Sequence, residues 1–277
     1  MEWEGYQICL RLLSPLHIGW RKSGNLQQTR PYVTGRALWG ALTARLTRQA
    51  GKTNYDEVGR WVDERLAFTY FYPSDRANGV RLWPWGESWD EFAWTHLGSY
   101  VSTSLADGHA AEEGSLHETE FIAPRTRCAK PVYLLGYLFQ REDWHELGLN
   151  LDASLRKLQL GGERGYGWGR LDLCHKVPLQ ENDRCFQAFK FDKDLKADRP
   201  VLSVTSEDVK LLAHTFANDN GTAAEIEPLL GRLTDKDGRF GQVPSEAKIC
   251  WKPGSPVAFT NKFLVAHKGL WKALPTL

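Results

Sequence analysis

Gly161-Gly162-Glu163-Arg164-Gly165-Tyr166-Gly167-Trp168-Gly169-Arg170 places five glycines in ten residues, with two arginines and two aromatics among them. Glycine admits positive φ and lets another molecule approach the main chain closely. Successive exposed N–H groups in such a turn form an anion-binding concavity. Arg164 and Arg170 add charge there, and Tyr166 and Trp168 offer flat faces to bases. These are parts for gripping a polyanion. The stretch lacks the Lys-Ser/Thr ending of a nucleotide-hydrolysing loop and the strand-before, helix-after setting of a dinucleotide-binding turn. A second reading, a bulged strand end or wide turn with structural glycines, stays open on composition alone. The flanks give the loop its place. Asp152 to Leu160 reads as a short helix with a polar cap, and Trp168 to His175 alternates like a strand. The loop therefore joins a helix to a strand.

The chain of 277 residues is 42% hydrophobic and 25% charged, the profile of an ordinary globular protein of one large domain or two small ones. No apolar run reaches membrane-spanning length, and the first residues do not read as a signal peptide, so no membrane is expected as a partner. Cys9, Cys128, Cys174, Cys185 and Cys250 are scattered, without a CxxC spacing. Disulfides and structural zinc are not expected, and a reducing cytoplasm is the compartment implied. A formal net charge of +1 is small for a nucleic-acid binder, so such a role requires acidic and basic surfaces to be segregated. There are twelve tryptophans against one methionine. Trp83, Trp85, Trp89 and Trp94 cluster in a segment that reads either as a loop folded over the core or as a docking surface for another subunit.

Along the chain, Tyr6 to Leu13 is a strand by alternation, ended by Pro15 and Gly19. Arg21 to Arg30 is polar and reads as an exposed loop in which Arg21, Lys22 and Arg30 have no balancing acid. Thr34 can cap a helix whose apolar stripe is Leu38, Ala41, Leu42 and Leu46, and Gly51 closes it. Arg36, Arg45 and Arg48 give this helix only positive charge. Gly40 suggests close packing, or a ligand near the helix start. A second helix is expected over Asp56 to Leu66, running on towards Tyr72. Pro73 to about Gly114 reads as an irregular aromatic excursion. Arg125, Arg127 and Lys130 form a basic tip on a hairpin arm or loop. Val132 to Phe139 is the strongest buried strand. The expected fold is α+β: a ferredoxin-like (RRM-like) βαββαβ core over residues 1–178, with an insertion at about 73–130 supplying the missing strand near Phe121. Residues 179–277 form a C-terminal extension or degenerate second domain. It opens on a charged crossing (Leu179 to Pro200), with helices expected at Ser206 to Phe216 and Ala223 to Leu230 and a strand at Val257 to Ala266.

Three features occur in order: Leu16-His17-Ile18-Gly19 after the first strand, Tyr32-Val33-Thr34-Gly35-Arg36-Ala37-Leu38-Trp39-Gly40-Ala41-Leu42 at the helix start, and the late glycine loop. Together they resemble the RAMP superfamily (repeat-associated mysterious proteins), the RNA-binding subunits of CRISPR effector complexes. Phe68 to Pro73 and Thr119 to Pro124 look most like type III subunits, and the chain most resembles the single-copy subunit that caps the guide RNA 5′ end. Thr34 stands where the family often has Pro, and Arg36 and Trp39 where Ser and Arg are common, so a multi-copy backbone subunit assisting target-RNA cleavage remains an alternative.

The resemblance implies an antiviral-defence role in which the family's sheet and glycine loop hold the repeat-derived handle of the guide RNA. The implied contacts are Gly161, Gly162, Arg164, Gly165, Tyr166, Gly167, Trp168, Gly169 and Arg170, with Arg21, Lys22, Arg36, Arg45 and Arg48 along the path. Arg125, Arg127 and Lys130 are at the arm tip. Phosphate neutralisation and base stacking would supply the affinity. The implied partners are guide RNA and other effector subunits, including the large polymerase-like subunit. No cofactor or metal is implied.

Some relatives cut RNA with a histidine, which makes His17 the candidate acid or base. A packing role within Leu-His-Ile-Gly is the competing reading, and a lone His without a companion base is a weak catalytic signal. His96, His109, His117, His145, His175, His214 and His267 lack metal-ligand spacing, and Asp75 and Asp107 are ordinary loop aspartates. No catalytic residue is assigned. A stand-alone guide-processing endoribonuclease and a protein-docking scaffold are the remaining alternatives.

Overall fold

The computed structural model describes residues 2–105, 110–193, 197–217, 224–233, 242–257 and 260–275. Asp107, His109 and Ala223 lie outside them, as do two residues of the strand expected at Val257 to Ala266. β1 (Trp3–Leu12) leads through the hairpin β2 (Gly19–Ser23) and β3 (Leu26–Thr29) to α1 (Gly35–Gln49) and α2 (Tyr55–Arg65). β4 (Leu66–Phe68), β5 (Tyr72–Ser74), α3 (Trp89–His96), β6 (Leu97–Ser102), β7 (His117–Ile122) and β8 (Tyr133–Arg141) follow. The short α4 (Leu151–Leu155) and β9 (Leu171–Pro178) flank the glycine loop. The first sheet has the order β4-β8-β1-β9, all antiparallel, and β5 also pairs with β8. A separate four-stranded sheet runs β2-β3-β7-β6.

The rest of the chain is a second, eight-stranded sheet. It comprises β10 (Arg184–Cys185), β11 (Phe189–Phe191), β12 (Val201–Val204), β13 (Thr215–Phe216) and β14 (Ile226–Leu229), then β17 (Lys248–Trp251), β18 (Lys262–Val265) and β19 (Trp271–Ala273). The short pair β15 (Arg232–Leu233) and β16 (Val243–Pro244) stands apart from it.

Both faces of the first sheet are apolar along β8, β4 and β5, as period-two side-chain alternation requires of strands buried on two sides, whereas β9 is buried on one side only, with Asp172 and Cys174 exposed on the other. One face carries Ile8, Leu10, Leu12, Leu134, Leu138 and Leu171. It packs on Leu38, Leu42 and Leu46 of α1, Val58 and Val62 of α2, and Leu151 and Leu155 of α4. The opposite face carries Trp3, Ala67, Tyr70, Tyr72, Tyr137 and Phe139. It is covered by the second sheet through Cys185, Phe189, Leu202, Phe263 and Trp271. The C-terminal extension is thus one layer of a helix–sheet–sheet sandwich.

Several sequence expectations are corrected. The strand completing the first sheet is β4 with β5, not the segment near Phe121. The aromatic run after α2 turns extended at Leu66, where the helix cap has φ −125° and ψ 142°. Thr69 bridges the break to β5, its hydroxyl accepting the Tyr137 N–H at 2.9 Å. Phe121 lies in β7, in the four-stranded sheet. Arg21 to Arg30 is a hairpin rather than a loop, turning at Gly24 with φ +57°. The excursion contains α3 and β6. Leu179 to Pro200 contains β10 and β11. No helix forms over Ser206–Phe216: Asp208 has φ +54°, and Leu211, Leu212 and Ala213 are all buried, where a helix would expose one side. Ile226 to Leu229 pairs with β17 as a strand, not a helix.

Trp83 and Trp85 stack on each other at 5.1 Å and pack edge-on against Tyr72, so half of the tryptophan segment folds over the core. Trp89 and Trp94 remain exposed.

Gly35 opens α1 directly against the C-terminal chain. A Cβ there would lie 2.6 Å from Gly269 Cα and 2.6 Å from the Lys268 carbonyl oxygen, both backbone atoms. Alanine favours helices by about 1 kcal/mol over glycine, but overpacking against main chain costs about 1–3 kcal/mol. Gly35→Ala is therefore expected to lower stability despite its better helix propensity, read as a reduced urea midpoint at unchanged slope.

Candidate nucleic-acid interface

The end of β1 and the glycine loop are docked backbone to backbone. The Gly162 N–H donates to the His17 carbonyl at 2.9 Å, and the Gly169 N–H to the Pro15 carbonyl at 2.7 Å. The Arg170 N–H donates to Ser14 Oγ at 2.9 Å. Gly161 (φ +78°) and Gly169 (φ +74°) take conformations that L side chains rarely adopt, and each also lacks room for one. A Cβ would sit 2.2 Å from the His17 carbonyl oxygen or 1.8 Å from that of Leu160. These two glycines are structural, and the two sequence motifs they join form one unit.

The loop's amides are mostly spent within the protein. Tyr166, Gly167 and Trp168 donate to the Glu163 and Arg164 carbonyls. Among the described residues, the N–H groups of Gly161, Glu163, Arg164 and Gly165 have no backbone acceptor, so most of the free amides lie on the Glu163–Gly165 crest. Gln159 braces it by donating to the Arg164 and Trp168 carbonyls. Tyr166 is 84% exposed. Trp168 turns the other way and packs edge-on against Phe121 at 5.2 Å.

A cleft of about 1290 Å³ runs from this loop along α1 to the C-terminal sheet. It brings together Arg21, Arg36, Arg48, Gly161, Gly162 and Arg164. The other residues marked from sequence lie outside its lining. Lys22 is exposed on β2. Arg45 turns towards a small hollow beside Ala153 and Lys157 that Arg48 also touches. The Gly165–Arg170 side of the loop lies beyond the cleft wall. The basic tip is a tight turn between β7 and β8, outside the lining of the cleft. Arg125 donates to the Ala129 carbonyl, Arg127 reaches the Trp94 carbonyl and covers its ring, and Lys130 pairs with Asp75. Gly40 has open space above its Cα and lines the cleft rather than a packed contact.

Lys248, Lys268, Arg30, Trp20, Trp39 and Phe216 also line the cleft. Cations sit over three of its rings: Arg21 over Trp20 at 4.1 Å, Lys268 over Trp39 at 4.4 Å, and Lys248 over Phe216 at 5.1 Å. Arg30 stood out in the sequence for lacking an acid nearby. The two lysines belong to an extension without a motif, and only their placement on a shared wall marks them.

The floor is a buried polar chain linking the two halves. Arg30 pairs with Glu227 at 2.7 Å, Trp20 Nε1 donates to the same carboxylate at 2.9 Å, and His214 Nε2 lies 3.2 Å from it. His214 Nδ1 in turn meets the Tyr70 hydroxyl at 2.8 Å. Burial would raise the Glu227 carboxyl, but the hydrogen bonds from His214 and Arg30 outweigh it and hold the pKa at about 2. Burial lowers His214 against the pull of Glu227. His17 is 8% exposed, with Nδ1 2.7 Å from the Glu120 carbonyl oxygen, the placement of a packing histidine. Among the described residues, no three His, Cys, Asp or Glu side chains converge on a possible metal site, and no helix is long and apolar enough to cross a membrane.

The RAMP superfamily model matches residues 9–172, and the chain belongs to that superfamily. Among solved structures, a chain of the type III-B Cmr-beta complex bound to cognate target RNA and AMPPnP aligns with a TM-score of 0.51 and 13% identity. That alignment covers 91% of this chain and 85% of the other. A chain from Cmr-beta bound to cognate target RNA aligns with a TM-score of 0.44 and 12% identity, covering 61% of this chain and 96% of the other. At these identities the likeness concerns the fold. No curated protein matches the chain.

Glu227 gives the fold a defined acid sensitivity. Its folded pKa of about 2 lies below the ordinary 4.5, so its stabilisation is present above about pH 4.5 and is lost as pH falls towards 2. Glu227→Gln leaves Arg30 buried without its counter-charge, which costs about 3 kcal/mol at pH 7. The gap between wild type and variant in urea unfolding is expected to be wide at pH 7 and to narrow at pH 3.

Proposed function

We propose that this chain is a non-catalytic guide-RNA-binding subunit of a type III CRISPR ribonucleoprotein, holding the repeat-derived 5′ handle between its glycine loop and the α1 arginines. The observation that carries the reading is the cleft itself. It gathers Arg21, Arg36, Arg48 and Arg164 from three separate stretches of sequence beside open aromatic rings. A groove with cations for phosphates and rings for bases suits a single strand, each stacked base contributing about 1–3 kcal/mol. Membership of the RAMP superfamily favours this reading. So does the fold shared with a chain of a complex described as bound to cognate target RNA.

The strand order β9-β1-β8-β4, with α1 and α2 between β1 and β4 and α4 between β8 and β9, supports a ferredoxin-like βαββαβ core over residues 1–178. Its insertion carries α3, β6 and β7, the two strands joining β2 and β3 in the four-stranded sheet, and residues 179–277 are a second unit. The cover over β8, β4 and β5 on the second face of the core sheet favours an RNA path on the helix side and the loop. Other effector subunits, the large polymerase-like one among them, are partners in this reading, and exposed Trp89, Trp94 and Tyr100 are surfaces available to them.

Arg21→Ala combined with Arg164→Ala is expected to weaken binding of repeat-handle RNA by about tenfold and to do so nearly equally for an unrelated single strand, since phosphate contacts are not sequence-specific. Filter binding over a salt series measures both effects. Wild-type affinity in the double variant removes the cleft as the RNA contact. Site-specific cleavage of repeat RNA by the purified wild type removes the non-catalytic reading.

A further inference from the structure

The start of α1 faces three cations supplied by both halves of the chain. Arg36 lies in the first turn of α1, Lys248 opens β17, and Lys268 occupies a left-handed corner (φ +56°) just before β19. All three line the cleft. Each is steadied without being neutralised. Lys268 and Lys248 rest over Trp39 and Phe216, and Arg36 donates to the Arg232 carbonyl at 2.7 Å. Among the described residues, none of the three pairs with a carboxylate. The two partly buried acids of this cleft have other partners. Asp63 accepts from His267 at 2.9 Å and from the Lys268 main-chain N–H at 3.2 Å. Glu227 is held by Arg30, His214 and Trp20. Asp56 and Glu246 line the cleft without an ion pair to the three.

Burial, with repulsion from Arg36 and Lys248, holds Lys268 below its ordinary pKa against the pull of Asp63, and burial lowers Arg36 as well. Cations crowded in a partly desolvated cleft are costly until an anion arrives.

We propose that Arg36, Lys248 and Lys268 form a phosphate-binding site built jointly by α1 and the C-terminal sheet, making the extension a second wall of the RNA path. The inference rests on the guide-RNA reading for its ligand. The chemistry it recognises is a phosphate group, which a ribonucleotide strand or a free nucleoside triphosphate could supply. The first turn of α1 carries no acid, so the positive end of the helix dipole adds to the same field.

Fluorescence anisotropy on the purified full chain tests the site with two probes, a short labelled oligouridine and a labelled ATP analogue. Lys248→Ala/Lys268→Ala is compared with Lys248→Arg/Lys268→Arg. The alanine pair is expected to lose about tenfold in oligouridine affinity, and its log–log salt slope is expected to flatten by about 1.4, roughly 0.7 per lost phosphate contact on a single strand. The arginine pair is expected to bind like wild type. Thermal melting accompanies each variant, and Lys248→Ala alone is the measurement of record if the double variant fails to fold.

Wild-type affinity and slope in a folded alanine variant overturn the site while leaving the guide-RNA reading standing. A wild type that binds the ATP analogue but not oligouridine, with binding lost in the alanine pair, assigns the phosphate to a free nucleotide and overturns the RNA path. A wild type that binds neither probe overturns both.

Discussion

Everything on the helix side of this molecule depends on two stretches of main chain lying in direct contact. Pro15 and His17 meet the two ends of the glycine loop main chain to main chain, through hydrogen bonds from Gly169 and Gly162. The contact fixes the crest of the glycine loop relative to the first strand, and the first strand fixes the helix-bearing sheet. The loop is thus presented on a rigid base, which is what a binding surface requires if it is not to lose ordering entropy on engaging its ligand. It also explains why two motifs separated by more than a hundred residues of chain act as one feature.

A second junction joins the two sheets. It is polar where it meets the cleft and aromatic elsewhere. Arg30, Glu227, His214 and Tyr70 satisfy one another in a region mostly withdrawn from water. Such a chain adds little net stability over an apolar equivalent, but it penalises any other register strongly because each partner left alone is a buried charge or donor. The surrounding rings of Tyr72, Trp83, Trp85, Phe189, Phe263 and Trp271 supply the apolar burial. The polar chain therefore sets where the sheets sit, and the aromatics hold them there.

Much of the first half of the chain is legible in its sequence because local signals and tertiary packing agree. Thr34 caps α1 as its hydroxyl suggests, the leucine stripe faces the sheet, and β8 reads as doubly buried because it is. The misread parts are those where packing overrides local preference. The Phe68–Tyr72 run follows a helix without punctuation and breaks into two short strands whose gap only Thr69 reveals. Ser206 to Phe216 has helical spacing, yet Leu211, Leu212 and Ala213 are all buried and only Thr215–Phe216 forms a strand. In the loop, glycine content announces unusual backbone but not which amides point outward. That depends on the Pro15 to His17 carbonyls, which are distant in sequence. Lys248 and Lys268 carry no signature at all, since an isolated lysine acquires meaning only from what faces it.

The covered second face of the first sheet has a practical corollary for anyone dissecting this protein. Residues 9–172 carry the recognisable family pattern, yet their Tyr32, Tyr70, Tyr72, Tyr137 and Phe139 all shelter beneath strands that come later. A fragment trimmed to the familiar portion would present a wall of naked rings to solvent and clump. The unfamiliar remainder behaves as a permanent lid on the hydrophobic interior, and the two portions have to be made and handled as a single piece.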